Sequence, residues 1–199
     1  MKDKIIHKSA ELFLEYGFKS VTMDYIASEL AVSKKTIYGY FSNKAHLIEE
    51  VANCISQEIQ QEIDTVMKSD FNPIEELFEI KRCVLTRLKD EKASPQFQMQ
   101  KYYPEVYQRL RESQVCKMDE CCSVNLSRGI KNGYYRKNLN ENFITRLYIS
   151  GMLNLKDEAL FKDTDLSPKQ LYEEFLSYHL RSIVTPKGLE ILKQTEINK

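Results

Sequence analysis

Apolar residues recur along most of this chain every three or four positions, the spacing of one helical face, and no stretch alternates convincingly as a strand does. Ile5, Ile6, Ser9, Ala10, Leu12 and Phe13 form the first stripe, over residues 3–16. Gly17 follows as a C-terminal cap, with Phe18 and Val21 packing the connection. Thr22 can cap a second helix in which Ile26, Ala27 and Leu30 make a narrow apolar face. A turn at Ala31-Val32 leads to Ser33, which caps a third helix where Ile37 and Phe41 keep the spacing. Ala27 is small enough for these two short helices to cross closely. A longer helix then runs from Ala45 to near Met67, with Leu47, Ile48, Val51, Ile55, Ile59, Ile63 and Val66 on one side.

The rest of the chain repeats one start signal, a capping residue followed by proline at the first helical position. It occurs at Asn72-Pro73, Ser94-Pro95 and Ser167-Pro168, and Pro104 opens another helix that Gly133 closes. A helix from Glu141 to Lys156 and a short tail around Leu189-Leu192 complete the set. The expected fold is all-α, with about nine to ten helices, no internal repeat and no low-complexity tract. Residues 1–46 read as a three-helix head, and 47–199 as a helical body.

Composition narrows the function classes. The chain has 199 residues, enough to bury a real core, and its 29 basic and 29 acidic side chains cancel. Any nucleic-acid contact must therefore come from a local patch. No apolar run approaches the ~20 residues that span a bilayer, and the N-terminus lacks the pattern of a secretory signal. Cys54, Cys83, Cys116, Cys121 and Cys122 are odd in number and include no C-x-x-C pair, so neither a disulfide framework nor a zinc site is expected. A reducing cytoplasm is the natural compartment. His7, His46 and His179 are isolated in the sequence, and a metal site would need ligands converging from several helices. No metal or cofactor is expected.

The patch is on the third helix. Lys34, Lys35, Thr36, Tyr38 and Tyr40 share its outer face, Lys44 lies just beyond, and no acid falls between Ser33 and Lys44. One reading is a solvated helix face. The other is a helix that enters a DNA groove. The run TMDYIASELAVSKKTIYGYFSNKAHLI, residues 22–48, resembles the N-terminal signature of the TetR-type transcriptional repressors. At the turn, Ala31 stands where that signature usually has glycine, so a left-handed backbone there costs more than it does for glycine. The resemblance covers roughly the first fifty residues. It implies that Ser33, Lys34, Lys35 and Thr36 begin a recognition helix, with side chains at base edges or flanking phosphates. Tyr38, Tyr40 and Lys44 then suit phosphates, and Thr22 places its hydroxyl and a helix start at another.

Two further constellations lie in the body. Phe97, Tyr102, Tyr103, Tyr107, Met118, Tyr148 and Met152 could line a pocket for a flat or apolar effector, as TetR-like bodies have, or simply be core. Phe143, Leu147, Tyr148, Gly151 and Leu155 form one stripe, and Leu171, Phe175, Tyr178, His179 and Ile183 form another. Both could cover the core. The resemblance suggests instead that they pair with the same helices of a second copy, and Gly151 leaves room for a close neighbour. Cys116, Cys121 and Cys122 point in different directions on one helix, so reduced, partly buried thiols are expected rather than a redox sensor.

No phosphate-cradling glycine loop, nucleophile elbow, H-E-x-x-H or paired catalytic carboxylates occur, so no enzyme is indicated. The resemblance implies a ligand-responsive regulator, a repressor bound as a homodimer to a pseudo-palindromic double-stranded DNA operator and released by a small-molecule effector. A helical interaction module that uses the same fold without sequence-specific DNA binding is the alternative.

Overall fold

A computed structural model of the chain describes residues 1–87, 95–155, 158–161 and 163–197, with the side chains at 87, 95–97, 158 and 159 outside that description. The described residues form helices throughout and contain no strand; an isolated bridge joins Tyr135 to Val184. In order they are α1 (Lys2–Ser20), α2 (Met23–Glu29), α3 (Lys34–Tyr40), α4 (Lys44–Met67), α5 (Pro73–Arg87) and α6 (Pro95–Tyr102). There follow α7 (Pro104–Lys131), α8 (Glu141–Asn154), the single turn α9 (Glu158–Phe161), α10 (Pro168–Ile183) and α11 (Pro186–Ile197). No helix among the described residues is long and apolar enough to cross a membrane.

The start and stop signals act where the sequence places them. Gly17 sits at φ 77°, which breaks the α1 ladder and leaves one further turn before Val21. Asn72 Oδ1 accepts the backbone N–H groups of Ile74 and Glu75 at 3.0 and 3.1 Å. Ser167 and Gln170 form a complete capping box around Pro168. Gly133, at φ 74°, ends α7. Ser94 and the stretch after Arg87 lie outside the described residues.

The chain divides into two compact units, Met1–Gln61 with Thr86–Gln114, and Glu62–Leu85 with Val115–Lys199. The packing boundary therefore differs from the division at 46/47. In the first unit, Ile5, Phe13, Ile26, Ile37, Phe41, Leu47 and Ile48 bury fully or nearly so in one core. Met99 of α6 and Tyr103 pack on the same core, and the Tyr103 ring stands edge-on to Phe18 at 6.2 Å. This is why α6 and the start of α7 group with the head.

The second unit has its own core, around Ile74, Leu77, Leu126, Tyr135, Tyr148, Leu176, Leu180 and Ile183. A buried polar cluster fixes how α5 and α7 meet. Asn125 Nδ2 donates to the Pro73 carbonyl at 2.8 Å and to Glu76 Oε1 at 2.7 Å, and its Oδ1 accepts the Tyr135 hydroxyl at 3.0 Å. Arg128 closes the cluster on Glu76 at 2.6 Å, and Glu76 is only 1% exposed. A buried charge of this kind persists only when paired and fully hydrogen-bonded. Asn125→Ala removes donor and acceptor together, stranding Glu76 Oε1 and one side of Tyr135. Urea unfolding should show a loss of about 1–3 kcal/mol, the cost of leaving such groups unsatisfied.

Candidate nucleic-acid interface and body cavity

The head builds one exposed face on a buried base. Thr22 Oγ1 accepts the Tyr25 N–H at 3.0 Å and starts α2; Ser33 Oγ accepts the Thr36 N–H at 3.0 Å and starts α3. Between them Ala31 adopts φ 51°, the left-handed conformation that the turn demands. For an L-residue that conformation costs roughly 1–2 kcal/mol. Val32 N donates to the Ala27 carbonyl at 3.0 Å, which locks the turn over the close crossing of α2 and α3. Ile37 and Phe41 are 0% exposed, so the opposite side of α3 must face solvent.

On that outer side, Lys34, Lys35, Tyr38 and Tyr40 are exposed, and Thr36 is half-buried. Lys34 pairs with Asp24 at 2.8 Å, and its ammonium lies over the Tyr38 ring at 5.8 Å. The hydrogen bond to Asp24 raises the Lys34 pKa and ties the first turn of α3 to that of α2, bringing Thr22 beside the α3 face. Lys35 has no ion-pair partner among the described residues. Gly39 has open space where a side chain would be, so nothing in the fold requires glycine there. Lys44 differs from its neighbours: it is half-buried, donates to the Phe18 carbonyl, and burial lowers its pKa. Two of its N–H donors remain for an outside acceptor.

The second unit carries a half-open cavity of about 20 Å³, room for roughly one water. Leu77, Cys122, Thr145, Tyr148 and His179 are among its walls. Of the seven residues expected to form a pocket, Tyr148 lines this cavity. Tyr102, Tyr103 and Tyr107 belong to the first unit: Tyr102 is exposed, Tyr103 packs on the head core, and the Tyr107 hydroxyl accepts Arg111 Nη1 at 3.1 Å. Met118 is half-buried, and Met152 packs beside the second-unit core without reaching the cavity. The Phe97 side chain lies outside the described residues. The cavity residues missed by the sequence come from α5, α7, α8 and α10, and no local spacing links them.

The stripes of α8 and α10 also divide. Phe143, Leu147 and Tyr178 are 61%, 51% and 73% exposed, far more than large apolar groups usually are. Leu155, Leu171, His179 and Ile183 are instead covered by the chain's own core, and Phe175 is half-buried. The close neighbour of Gly151 is this chain's Phe175, whose ring a Cβ would meet at 2.1 Å. Phe175 stacks on Tyr148 at 5.8 Å, and Tyr148 lies against His179 at 4.6 Å. All five cysteines are free; burial pushes the Cys122 thiol up to about 12, against any thiolate role.

Burial depresses His179 to about 4, so the cavity wall is neutral at physiological pH. Its unfolded pKa is near 6.5, so between pH 6.5 and 4 the unfolded chain binds the extra proton and stability falls as pH falls. The full difference amounts to about 3 kcal/mol. His179→Phe keeps the ring contacts and removes the titration. Unfolding free energies measured at pH 7 and pH 5 should converge in the variant and diverge in the native chain.

With this geometry in place, known proteins supply its context. The sequence profile of "Bacterial regulatory proteins, tetR family" matches residues 5–51, the head from α1 into α4. The uncharacterized HTH-type transcriptional regulator YhgD of Bacillus subtilis is 34% identical over 67 residues, covering 34% of this chain and 35% of that one. The biofilm operon icaADBC HTH-type negative transcriptional regulator IcaR of Staphylococcus aureus is 37% identical over 54 residues, covering 27% and 29%. The matched region is thus about a third of the length of these curated relatives. The fold is shared much further. A putative transcriptional regulator from Saccharomonospora viridis, solved in complex with choline, superposes with TM-score 0.74 over 92% of this chain and 97% of that one, at 17% identity.

Proposed function

We propose that this chain, similar to the TetR-type regulators in its head sequence and its fold, binds a pseudo-palindromic DNA operator as a homodimer and represses transcription until a small molecule enters its body. The observation that carries this is the α3 face. Lys35, Tyr38 and Tyr40 stand exposed on a helix whose other side is anchored by fully buried Ile37 and Phe41, and no acid lies on it. Lys34, Lys35 and Thr36 reach the groove; Tyr38, Tyr40, Lys44 and Thr22 hold the backbone on either side. A seven-residue helix gives too little contact for a specific site alone, so two heads act together.

Repression is supported by IcaR, a negative regulator similar in the head. Phe143, Leu147 and Tyr178 are the exposed apolar groups that a second copy would cover, forming a self-complementary patch across a two-fold axis. The choline complex of the Saccharomonospora viridis protein supports a small-molecule effector. Both α4 and α7 run through both units and give the effector a continuous helical path to the head. The protein acts in the cytoplasm, where the DNA is.

Selection of bound genomic fragments, followed by affinity measurement at several salt concentrations, tests the DNA assignment. Lys35→Ala should weaken the best site by about 1 kcal/mol or more and flatten the salt slope by about one. Tyr38→Ala should weaken it with little change in slope. Unchanged affinity in both variants means that α3 does not touch DNA. Leu147→Glu tests the patch by sedimentation: it should turn a dimer into a monomer at micromolar concentration, and an unaltered dimer places the interface elsewhere.

A further inference from the structure

Within the head, three chemically unlike ligand groups converge from two helices that are far apart in sequence. His7 lies on α1, while Cys54 and Glu58 lie one turn apart on α4. An imidazole nitrogen, the Cys54 Sγ and a Glu58 carboxylate oxygen are all within 4.8 Å of one another, and the Cys54 thiol donates to Glu58 Oε1 at 3.6 Å. The two helices share one core, to which Ile5, Ile6, Leu47 and Val51 belong, and the Lys2–Glu50 ion pair at 2.5 Å also joins them.

We propose that His7, Cys54 and Glu58 form a binding site for a zinc-class divalent cation, with water in the fourth position. Bonds of about 2.0–2.3 Å in a tetrahedral complex set neighbouring ligand atoms about 3.3–3.8 Å apart, so side-chain rotation of about an ångström closes the set. One nitrogen, one thiolate and carboxylate oxygens select a borderline cation; magnesium and calcium prefer oxygen throughout. On binding, the thiol S–H bond breaks, its electron pair forms the sulfur–metal bond and the proton leaves to solvent, so affinity rises with pH. The cation clamps the first helix to the helix that leads out of the head.

Cobalt(II) titration of the purified full chain under reducing conditions tests this directly, because a thiolate ligand gives an intense thiolate-to-cobalt charge-transfer band. The band should saturate at one ion per chain and disappear when zinc(II) is added. Cys54→Ser should abolish it, and His7→Ala should weaken binding by more than about tenfold, the least that losing even an outer partner costs. A chain with Cys83, Cys116, Cys121 and Cys122 all changed to serine should keep it. Zinc(II) should also raise the melting temperature of the native chain and leave that of Cys54→Ser unmoved, which separates metal binding from any folding defect. A native chain without the band, or a band that survives Cys54→Ser, overturns the site. None of these readouts depends on DNA or on the body cavity.

Discussion

The exposed chemistry of the head depends on two side chains that no partner can touch, Ile37 and Phe41. Seven residues are far too few for a helix to persist in water by itself. Burial of one face supplies what propensity cannot, and the Ser33 cap satisfies a donor that the first turn leaves open. Fixing those groups fixes the direction of Lys35, Tyr38 and Tyr40, because the side chains of a short helix cannot turn independently of its anchor. The head spends stability at Ala31 to close its turn, where glycine would be cheaper, and at Gly39, where alanine would be. Neither choice serves packing. Gly39 in particular leaves the middle of the outer face bare, so that a surface laid against α3 meets backbone between two tyrosines.

What the sequence disclosed follows the range of the forces concerned. Caps act over three residues and helix stripes over four, so Thr22, Ser33, Asn72 and Ser167 could be read in place, and the all-helical class with them. The left-handed turn at Ala31 was suggested instead by the resemblance, whose signature usually has glycine there. The aromatic residues were a different problem. Tyr103 and Tyr148 are equally amphipathic, and nothing local says that one packs on Phe18 while the other lines a cavity with Thr145 and His179. Likewise a stripe on α10 has two sides, and only tertiary packing decides that Ile183 turns inward while Tyr178 stays out. His7 and Cys54 are the extreme case: 47 positions apart in the sequence, they meet only because α1 and α4 share a core.

The second unit is organised for resistance to opening. Its polar cluster pairs Glu76 with Asn125 and Arg128 and leaves Tyr135 no freedom of rotation without losing hydrogen bonds. Phe175, Tyr148 and His179 stack beside it, and Gly151 allows Phe175 to come closer than any side-chain-bearing residue would. Low pH acts on this unit through a buried imidazole that must charge on unfolding, a route separate from the surface charges of the head.

That tightness bears on how a small molecule could control the head. Pockets for drug-sized ligands are about 300 Å³ or larger, whereas this cavity holds roughly a single water. A drug-sized effector at this position would have to select a body that has opened, with the aromatic stack or the α5–α7 contact rearranged. This satisfies the thermodynamic requirement for a switch. A ligand shifts an equilibrium only by its difference in affinity between two states, and a site absent from the closed state makes that difference nearly the whole binding free energy. A cavity already formed at full size would give tight binding and little control. At physiological pH the two titratable wall groups, His179 and the Cys122 thiol, are both uncharged, and the remaining polar walls are an amide, a hydroxyl and two tyrosine rings.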